Sequence, residues 1–243
     1  MIRIFDTVEA LGHAAAELIA ATAKDAVAAR GRCALLLAGG DTPRRTYGML
    51  AREPYRSRIP WESVHLFWGD ERCVASGDPR SNAAMVRATL LDQLTLGPDQ
   101  VHPIVCDVSP RQAAEQYEAE LRRFFGDGPP RFDIAILGVG TDGHTASLFP
   151  GLPAVEEQVR WTCVTRNHGE EFYRVTLTLP LLNASARLLF LVSGRSKARV
   201  LHEMLEMPDR RPLLPAQRVR LQDGEPWWFV DRDAAAMLTE DHR

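Results

Sequence analysis

The chain has 243 residues, of which 45% are hydrophobic, and this is enough apolar material for a sizeable core. The composition therefore excludes intrinsic disorder as an account of the whole chain. The 29 basic and 32 acidic residues give a net charge of -3, so no overall basic field exists to hold a nucleic acid or an anionic membrane. Any anionic ligand must be bound by local groups.

Cysteine usage and the first residues favour a cytoplasmic location. The four cysteines are far apart and form no CxxC pair, and the opening MIRIFDTVEA contains no apolar signal-peptide core. We therefore expect reduced thiols. The longest apolar runs, such as LLFLV at 188–192, have about a quarter of the ~20 residues needed to cross a bilayer. The histidines show no HExxH or similar spacing, so we expect no metal site.

The first predicted element is a helix. Apolar residues recur at three- and four-residue intervals from Val8 to Thr22, Asp6 and Glu9 make a capping-box start, and Gly31 ends the helix. Five short apolar runs then suit buried strands. They are CALLLA (33–38), VHLFW (64–68), DIAIL (133–137), RVTLTL (174–179) and LLFLV (188–192).

Helices are predicted between these runs, at 43–52, 81–94, 110–125 and 197–206. The third has a clear start in Ser109, Pro110 and Gln112. Alternation of strand and helix predicts an α/β fold with a mostly parallel, Rossmann-like open sheet and helices on both faces. The Pro- and Gly-rich stretches at 126–132 and 149–153 are short. We therefore expect one domain over residues 1–243.

Polar segments follow four of the predicted strands. In open α/β sheets the ligand lies beyond the carboxyl ends of the strands, so these segments are where function is expected. They are Gly39–Pro43, Gly69–Arg72, Gly138–Ser147 and Ser193–Lys197.

The first polar segment reads Gly39-Gly40-Asp41-Thr42-Pro43. It leaves a strand and enters a helix, so free backbone N–H groups and the Thr42 hydroxyl can converge on an anion. An ordinary glycine turn is an equally good interpretation of this segment alone. A Walker A loop is excluded because no GKS or GKT follows.

The third segment has Gly138, Gly140 and Gly143 in GxGxxG spacing. We reject a dinucleotide site, because no acidic residue ends the next predicted strand and Asp142 and His144 crowd the loop. A histidine beside an aspartate at a strand end is a candidate general base. The alternative is a histidine that only caps the next helix.

Cations come from other segments, as Arg72, Arg174, Arg195 and Lys197. Arg174 could direct two N–H donors onto a phosphate, and Lys197 offers a point charge at a helix start. Arg195 is expected to be solvated. No GxSxG nucleophile elbow occurs. The remaining chemistry is proton transfer on a small phosphorylated substrate.

Taken together, the motifs resemble those of the 6-phosphogluconolactonase family. They are GGDTP, GDER followed by Ser81-Asn82, LGVGTDGHTASLFP (137–150), RVTLTLPLLN (174–183) and SGRSKA (193–198). The resemblance implies an enzyme of the pentose phosphate pathway, which hydrolyses 6-phospho-D-glucono-1,5-lactone without a metal or other cofactor.

The resemblance also implies roles for individual residues. His144 would activate water, Asp142 would hold the imidazole, and Arg72 would stabilise oxyanion charge or fix the substrate. The substrate-binding set would be Gly39, Gly40, Asp41, Thr42, Gly140, Arg174 and Lys197. Relatives commonly have a serine at position 41, so the contribution of the Asp41 side chain stays open.

Two other functions are considered. Glucosamine-6-phosphate deaminases of the same superfamily have a glutamate where this chain has Phe149, so lactone hydrolysis is favoured. A sugar-phosphate sensor is the second alternative, but the first α/β unit begins within ten residues and leaves no room for a DNA-binding helix-turn-helix. The expected partner is a phosphorylated sugar lactone, with no nucleic acid or membrane, and the chain would be a monomer or small homo-oligomer.

Overall fold

The structure is a computed structural model that describes residues 1–207 and 211–239. Its strands are β1 (Ile2–Phe5), β2 (Cys33–Leu37), β3 (Val64–Trp68), β4 (Asp70–Arg72), β5 (Val101–His102), β6 (Ile134–Leu137), β7 (Thr162–Thr165), β8 (Arg174–Leu177), β9 (Leu188–Val192) and β10 (Trp227–Asp231). Its α-helices are α1 (Val8–Arg30), α2 (Asp41–Leu50), α3 (Tyr55–Arg58), α4 (Asn82–Thr89), α5 (Pro110–Phe125), α6 (Leu179–Asn183), α7 (Ala198–Glu206) and α8 (Pro215–Arg218).

Seven strands form one sheet in the order β1-β10-β9-β6-β2-β3-β5, and every pairing within it is parallel. Helices flank this sheet, which confirms the predicted single-domain, Rossmann-like α/β fold. All five residues of β2 and of β9 are buried. This explains their uninterrupted apolar sequences, since a central parallel strand has helices packed on both of its faces.

A second sheet has three antiparallel strands in the order β4-β8-β7. The strand predicted at RVTLTL is present as β8 over Arg174–Leu177, but it pairs antiparallel in this small sheet and not within the parallel sheet. A buried apolar run reveals burial but not its partner, so the sequence could not distinguish the two sheets. Gly69 joins the sheets, because its N–H donates to the Leu37 carbonyl and its own carbonyl accepts from the Leu177 N–H.

Helix α1 starts one residue later than predicted. Thr7 is its N-cap and accepts a hydrogen bond from the Ala10 N–H, while Asp6 pairs with Arg232. The end at Gly31 is confirmed, with φ of 72°. Helix α5 matches the predicted 110–125, including its Ser109 cap. The other predicted helices are shifted or shorter, as 41–50, 82–89 and 198–206.

The cysteines differ from the sequence expectation. Cys73 and Cys106 form a disulfide with Cα atoms 5.1 Å apart, whereas Cys33 and Cys163 are free. The two paired residues follow β4 and β5, and the fold brings these distant segments together. In the described ranges, no helix is long and apolar enough to cross a membrane.

Candidate active site

A cavity of about 490 Å³ lies at the carboxyl ends of the central strands. Nine of the ten predicted site residues line it, and Asp142 contacts the imidazole of His144. The nine are Gly39, Gly40, Asp41, Thr42, Arg72, Gly140, His144, Arg174 and Lys197. The imidazole and the glycine turn therefore share one opening of the fold.

His144 and Asp142 form the titratable pair of this cavity. The imidazole Nδ1 lies 2.6 Å from the Asp142 carboxylate, which also accepts a hydrogen bond from the His144 backbone N–H. Burial acts to raise the pKa of Asp142, but the hydrogen bond and charge of His144 outweigh it and lower the pKa to about 2. Because the carboxylate is ionised, Nδ1 carries the proton and Nε2 is the basic atom.

Gly140 allows the imidazole to lie against the backbone. A Cβ at this position would be 2.1 Å from the His144 Nδ1 and 2.5 Å from the Asp142 carboxylate. The Gly140 N–H also donates to the His144 carbonyl over 2.8 Å. The glycine therefore serves the close approach of a side chain within its own loop.

Phe149 packs against the other side of the imidazole. The ring centroids of His144 and Phe149 are 4.6 Å apart, and Phe149 is 2% exposed. A buried apolar ring therefore packs against the imidazole.

The glycine turn presents an open helix start. Helix α2 begins at Asp41 after Gly40, which has φ of 103° and makes no side-chain cap. The first amides of the helix are therefore free to bind an anion. The Thr42 hydroxyl lies 2.6 Å from that of Ser193. Asp41 pairs with Arg44 and its side chain is 85% exposed, so it does not occupy the anion position.

Lys197 supplies a positive charge to the same cavity. Within residues 1–207 and 211–239 it has no ion-pair partner, and its partial burial lowers the pKa of the ammonium, with Asp142 opposing this shift. The loop that carries Lys197 is fixed by Asp231, whose carboxylate accepts from the Gly194 N–H at 3.0 and 3.1 Å. The arrangement favours an anionic ligand.

The two arginines are cross-strand neighbours in the small sheet, because Arg72 of β4 is in register with Arg174 of β8. Arg72 donates to the carbonyl of Arg80, and its Nε is buried without a partner in the described ranges. Arg174 is 7% exposed and directs its Nε and one terminal nitrogen at Glu170.

The remaining nitrogen of Arg174 lies 3.4 Å from the Ser147 hydroxyl and 3.8 Å from the Asp70 carboxylate. Asp70 in turn accepts from Ser147 and from the Asn82 amide. The guanidinium is thus the counter-ion of two carboxylates, and only part of its donor capacity faces the cavity.

Sequence reasoning missed two tyrosines that fix strand ends beside the cavity. The Tyr47 hydroxyl bonds both the N–H and the carbonyl of Ala38, and Tyr117 does the same for Trp68. These residues directly precede the first and second polar segments. A tyrosine on an amphipathic helix reads as a core residue, so the sequence contained no signal for this role.

Two larger cavities, of about 560 and 890 Å³, border helix α5 and contain none of the predicted site residues. The smaller cavity at the strand ends is the candidate site because basic, hydroxyl and imidazole groups converge there. Over the described part of the chain, no group of three or more His, Cys, Asp or Glu residues is arranged to hold a metal ion.

The family model for glucosamine-6-phosphate isomerases/6-phosphogluconolactonase matches residues 6–228. The chain belongs to this family. It is 40% identical over 217 residues to a 6-phosphogluconolactonase of Synechocystis sp., with 88% of each chain covered.

Two solved structures extend this family relationship to the fold. The 6-phosphogluconolactonase of Thermotoga maritima is 30% identical with a TM-score of 0.83, over 96% of this chain and 99% of that chain. The Trypanosoma brucei 6-phosphogluconolactonase is 27% identical with a TM-score of 0.85, over 98% of each. The family membership predicted from the motifs is therefore confirmed.

Proposed function

We propose that this chain hydrolyses 6-phospho-D-glucono-1,5-lactone to 6-phosphogluconate. The observation that carries the proposal is the pairing of His144 with an ionised Asp142 in the same cavity as Thr42 and Lys197. The names of the relatives support the same substrate. Hydrolysis of an ester requires only water as the second substrate, and the site contains a base that can activate the water.

His144 acts as the general base. Its Nε2 takes a proton from a water molecule, and the resulting hydroxide adds to the lactone carbonyl at C1. The tetrahedral intermediate then expels the ring oxygen, which receives the proton from the imidazolium and becomes the free hydroxyl of the acid. Asp142 stabilises the imidazolium and keeps the required tautomer.

Electrostatic stabilisation of the transition state is assigned to Arg72. Its guanidinium lines the cavity and has no carboxylate partner in the described ranges. A cation aimed at a developing oxyanion stabilises the transition state more than the ground state. General-base catalysis adds roughly 10²–10⁴-fold, which is a large share of what an already reactive lactone needs.

The phosphate is anchored by Lys197, the Thr42 hydroxyl and the free amides after Gly40. Gly39 and Asp41 contribute backbone to the same turn, and Arg174 adds positive charge at the wall. The binding energy of the remote phosphate orients the lactone ring, so that C1 faces the imidazole.

Deamination of an amino-sugar phosphate is the alternative within the family. It is disfavoured by Phe149, which places a buried apolar ring against His144. Release of ammonia from glucosamine 6-phosphate would support this alternative. A sensor that binds without reacting predicts phosphate-ligand binding without turnover.

The experiment is a coupled assay that follows 6-phosphogluconate formed from fresh lactone above the spontaneous background. The wild type is expected to accelerate hydrolysis and His144→Ala to lose nearly all of the acceleration, while phosphate-ligand binding persists. His13→Ala is the matched control, because His13 lies on α1 near Tyr55 and outside the cavity. A His144→Ala variant with near-normal turnover would exclude His144 as the base.

We further propose that the chain works in the cytoplasm as a monomer or small homo-oligomer, and that it binds neither nucleic acid nor membrane. The proposal rests on the balanced charge, which provides no overall basic field for a nucleic acid or an anionic membrane.

A further inference from the structure

Cys73 and Cys106 are neighbours in space although 33 residues separate them in the chain. Both residues are partly buried, whereas Cys33 is fully buried. A Cα separation of 5.1 Å lies within the usual range for a disulfide, so the backbone needs no movement for the bond to form. The pair is therefore placed to open and close within one backbone arrangement.

The pair lies next to a residue of the candidate site. Cys73 directly follows Arg72, and its N–H donates to the Tyr173 carbonyl over 2.8 Å. We call residues 73–81 the Cys73 loop. Its residue Arg80 offers the carbonyl that accepts from the Arg72 guanidinium. The backbone of the loop thus contacts the side chain of Arg72.

The two ends of the Cys73 loop are attached differently. At the far end, the Glu71 carboxylate accepts from the Ser81 hydroxyl and from the backbone N–H groups of Asn82 and Ala83, at 2.7 to 3.0 Å. At the near end, Cys73 donates its N–H to Tyr173, is linked to Cys106 and packs against the core. Opening the disulfide therefore removes a principal attachment of the near end.

We propose that Cys73 and Cys106 form a reversible thiol–disulfide site that controls how firmly Arg72 is held. In the oxidising direction, one cysteine thiolate attacks a small disulfide and releases one small thiolate. The second cysteine thiolate then displaces the other small thiol, so the two cysteines lose two protons and two electrons, and the small disulfide is reduced to two thiols. A small dithiol reverses both steps.

The functional consequence rests on the proposed function, because it acts through Arg72. In the reduced chain, the residue that directly follows Arg72 loses its link to Cys106, so the end of β4 that carries the guanidinium is less constrained and the side chain is less preorganised. Residues that act at a distance through packing and backbone contacts change the coupled step by about 2- to 30-fold, and we expect a loss of kcat/KM in this range on reduction.

The test treats the intact chain with oxidised glutathione or with dithiothreitol, and then counts alkylated thiols after denaturation by mass spectrometry. We expect two reactive cysteines in the oxidised chain and four in the reduced chain, with a higher thermal midpoint for the oxidised form. Four reactive cysteines after oxidation, or a thermal midpoint that does not respond, would overturn the proposal.

Variants separate the site from a general effect of redox reagents. Cys106→Ser and Cys73→Ser should each give the low kcat/KM of the reduced chain and should not respond to either reagent. Cys163→Ser, which removes an unpaired cysteine, should respond as the wild type does. A wild-type kcat/KM that is identical in both forms would overturn the link to Arg72. Absence of turnover in both forms would overturn the proposed function instead. The thiol count would still show whether Cys73 and Cys106 form a reversible disulfide.

Discussion

Replacing Gly140 with alanine tests whether the imidazole needs its present position. The added Cβ would lie 2.1 Å from the His144 Nδ1 and 2.2 Å from its Cε1. Since an ordinary contact begins at 3.4 Å, the ring must move by about 1.3 Å. The backbone of Gly140 does not require glycine, because its φ lies outside the left-handed region. The obstacle is therefore made by the side chains of His144 and Asp142, and not by the backbone of Gly140.

A misplacement of about 1 Å at a reacting group can cost roughly 10²-fold in rate, so we expect kcat of Gly140→Ala to fall by about 100-fold or more. Overpacking in a tight site costs about 1–3 kcal/mol, and a value near the lower limit is expected because His144 and Asp142 are partly exposed and can yield. The fall in kcat should thus be much larger than the fraction of unfolded variant can explain.

The assay measures 6-phosphogluconate formation at saturating lactone, with the thermal midpoint recorded for the same preparations. Gly138→Ala is the matched control, since a Cβ there meets nothing within 4 Å and the residue belongs to the same loop. We expect this control to keep kcat close to that of the wild type. A Gly140→Ala enzyme with unreduced kcat would refute the role of this close approach.

Two further predictions concern charge. Arg174→Ala should raise KM more than it lowers kcat. It should also destabilise the fold by about 3–5 kcal/mol, because Asp70 and Glu170 lose their counter-ion. An unchanged KM with a collapsed kcat would instead place Arg174 at the lactone carbonyl. Burial, followed by the charge of His102, lowers the pKa of His65 below its ordinary 6.5. Below pH 6.5 the unfolded chain therefore binds a proton at His65 that the folded chain does not bind. The free energy of unfolding should consequently fall as the pH drops. Urea titrations should show a smaller fall for His65→Gln than for the wild type.

The sequence was informative where local chemistry determines structure. Ser109 and Pro110 defined the start of α5, and the run 188–192 was apolar because β9 is buried on both faces. The polar residues after such runs converged at one cavity, because parallel strands end at the same edge of a sheet. His144 and Asp142 could be paired in advance because they are two residues apart.

The sequence was uninformative where the partner of a residue is distant. Nothing in RVTLTL indicated that it pairs with the segment 70–72, and a two-residue strand such as β5 is too short to show a pattern. Cys73 and Cys106 could not be paired without the fold. Arg174 was expected to face a phosphate with both donors, and its ion pair with Glu170 depends on how a loop returns to the small sheet.

The parallel pairing of β1 with β10 has a consequence for how this protein is made. Ile2 aligns with Trp228, so β1 can pair with its neighbour only after about 220 further residues have been synthesised. At a synthesis rate of about 5–20 residues per second, β1 remains unpaired for on the order of 10–45 s before β10 is synthesised. During this interval helix α1 also lacks its contact with β10. We therefore expect a chaperone to bind most readily at this stage of synthesis.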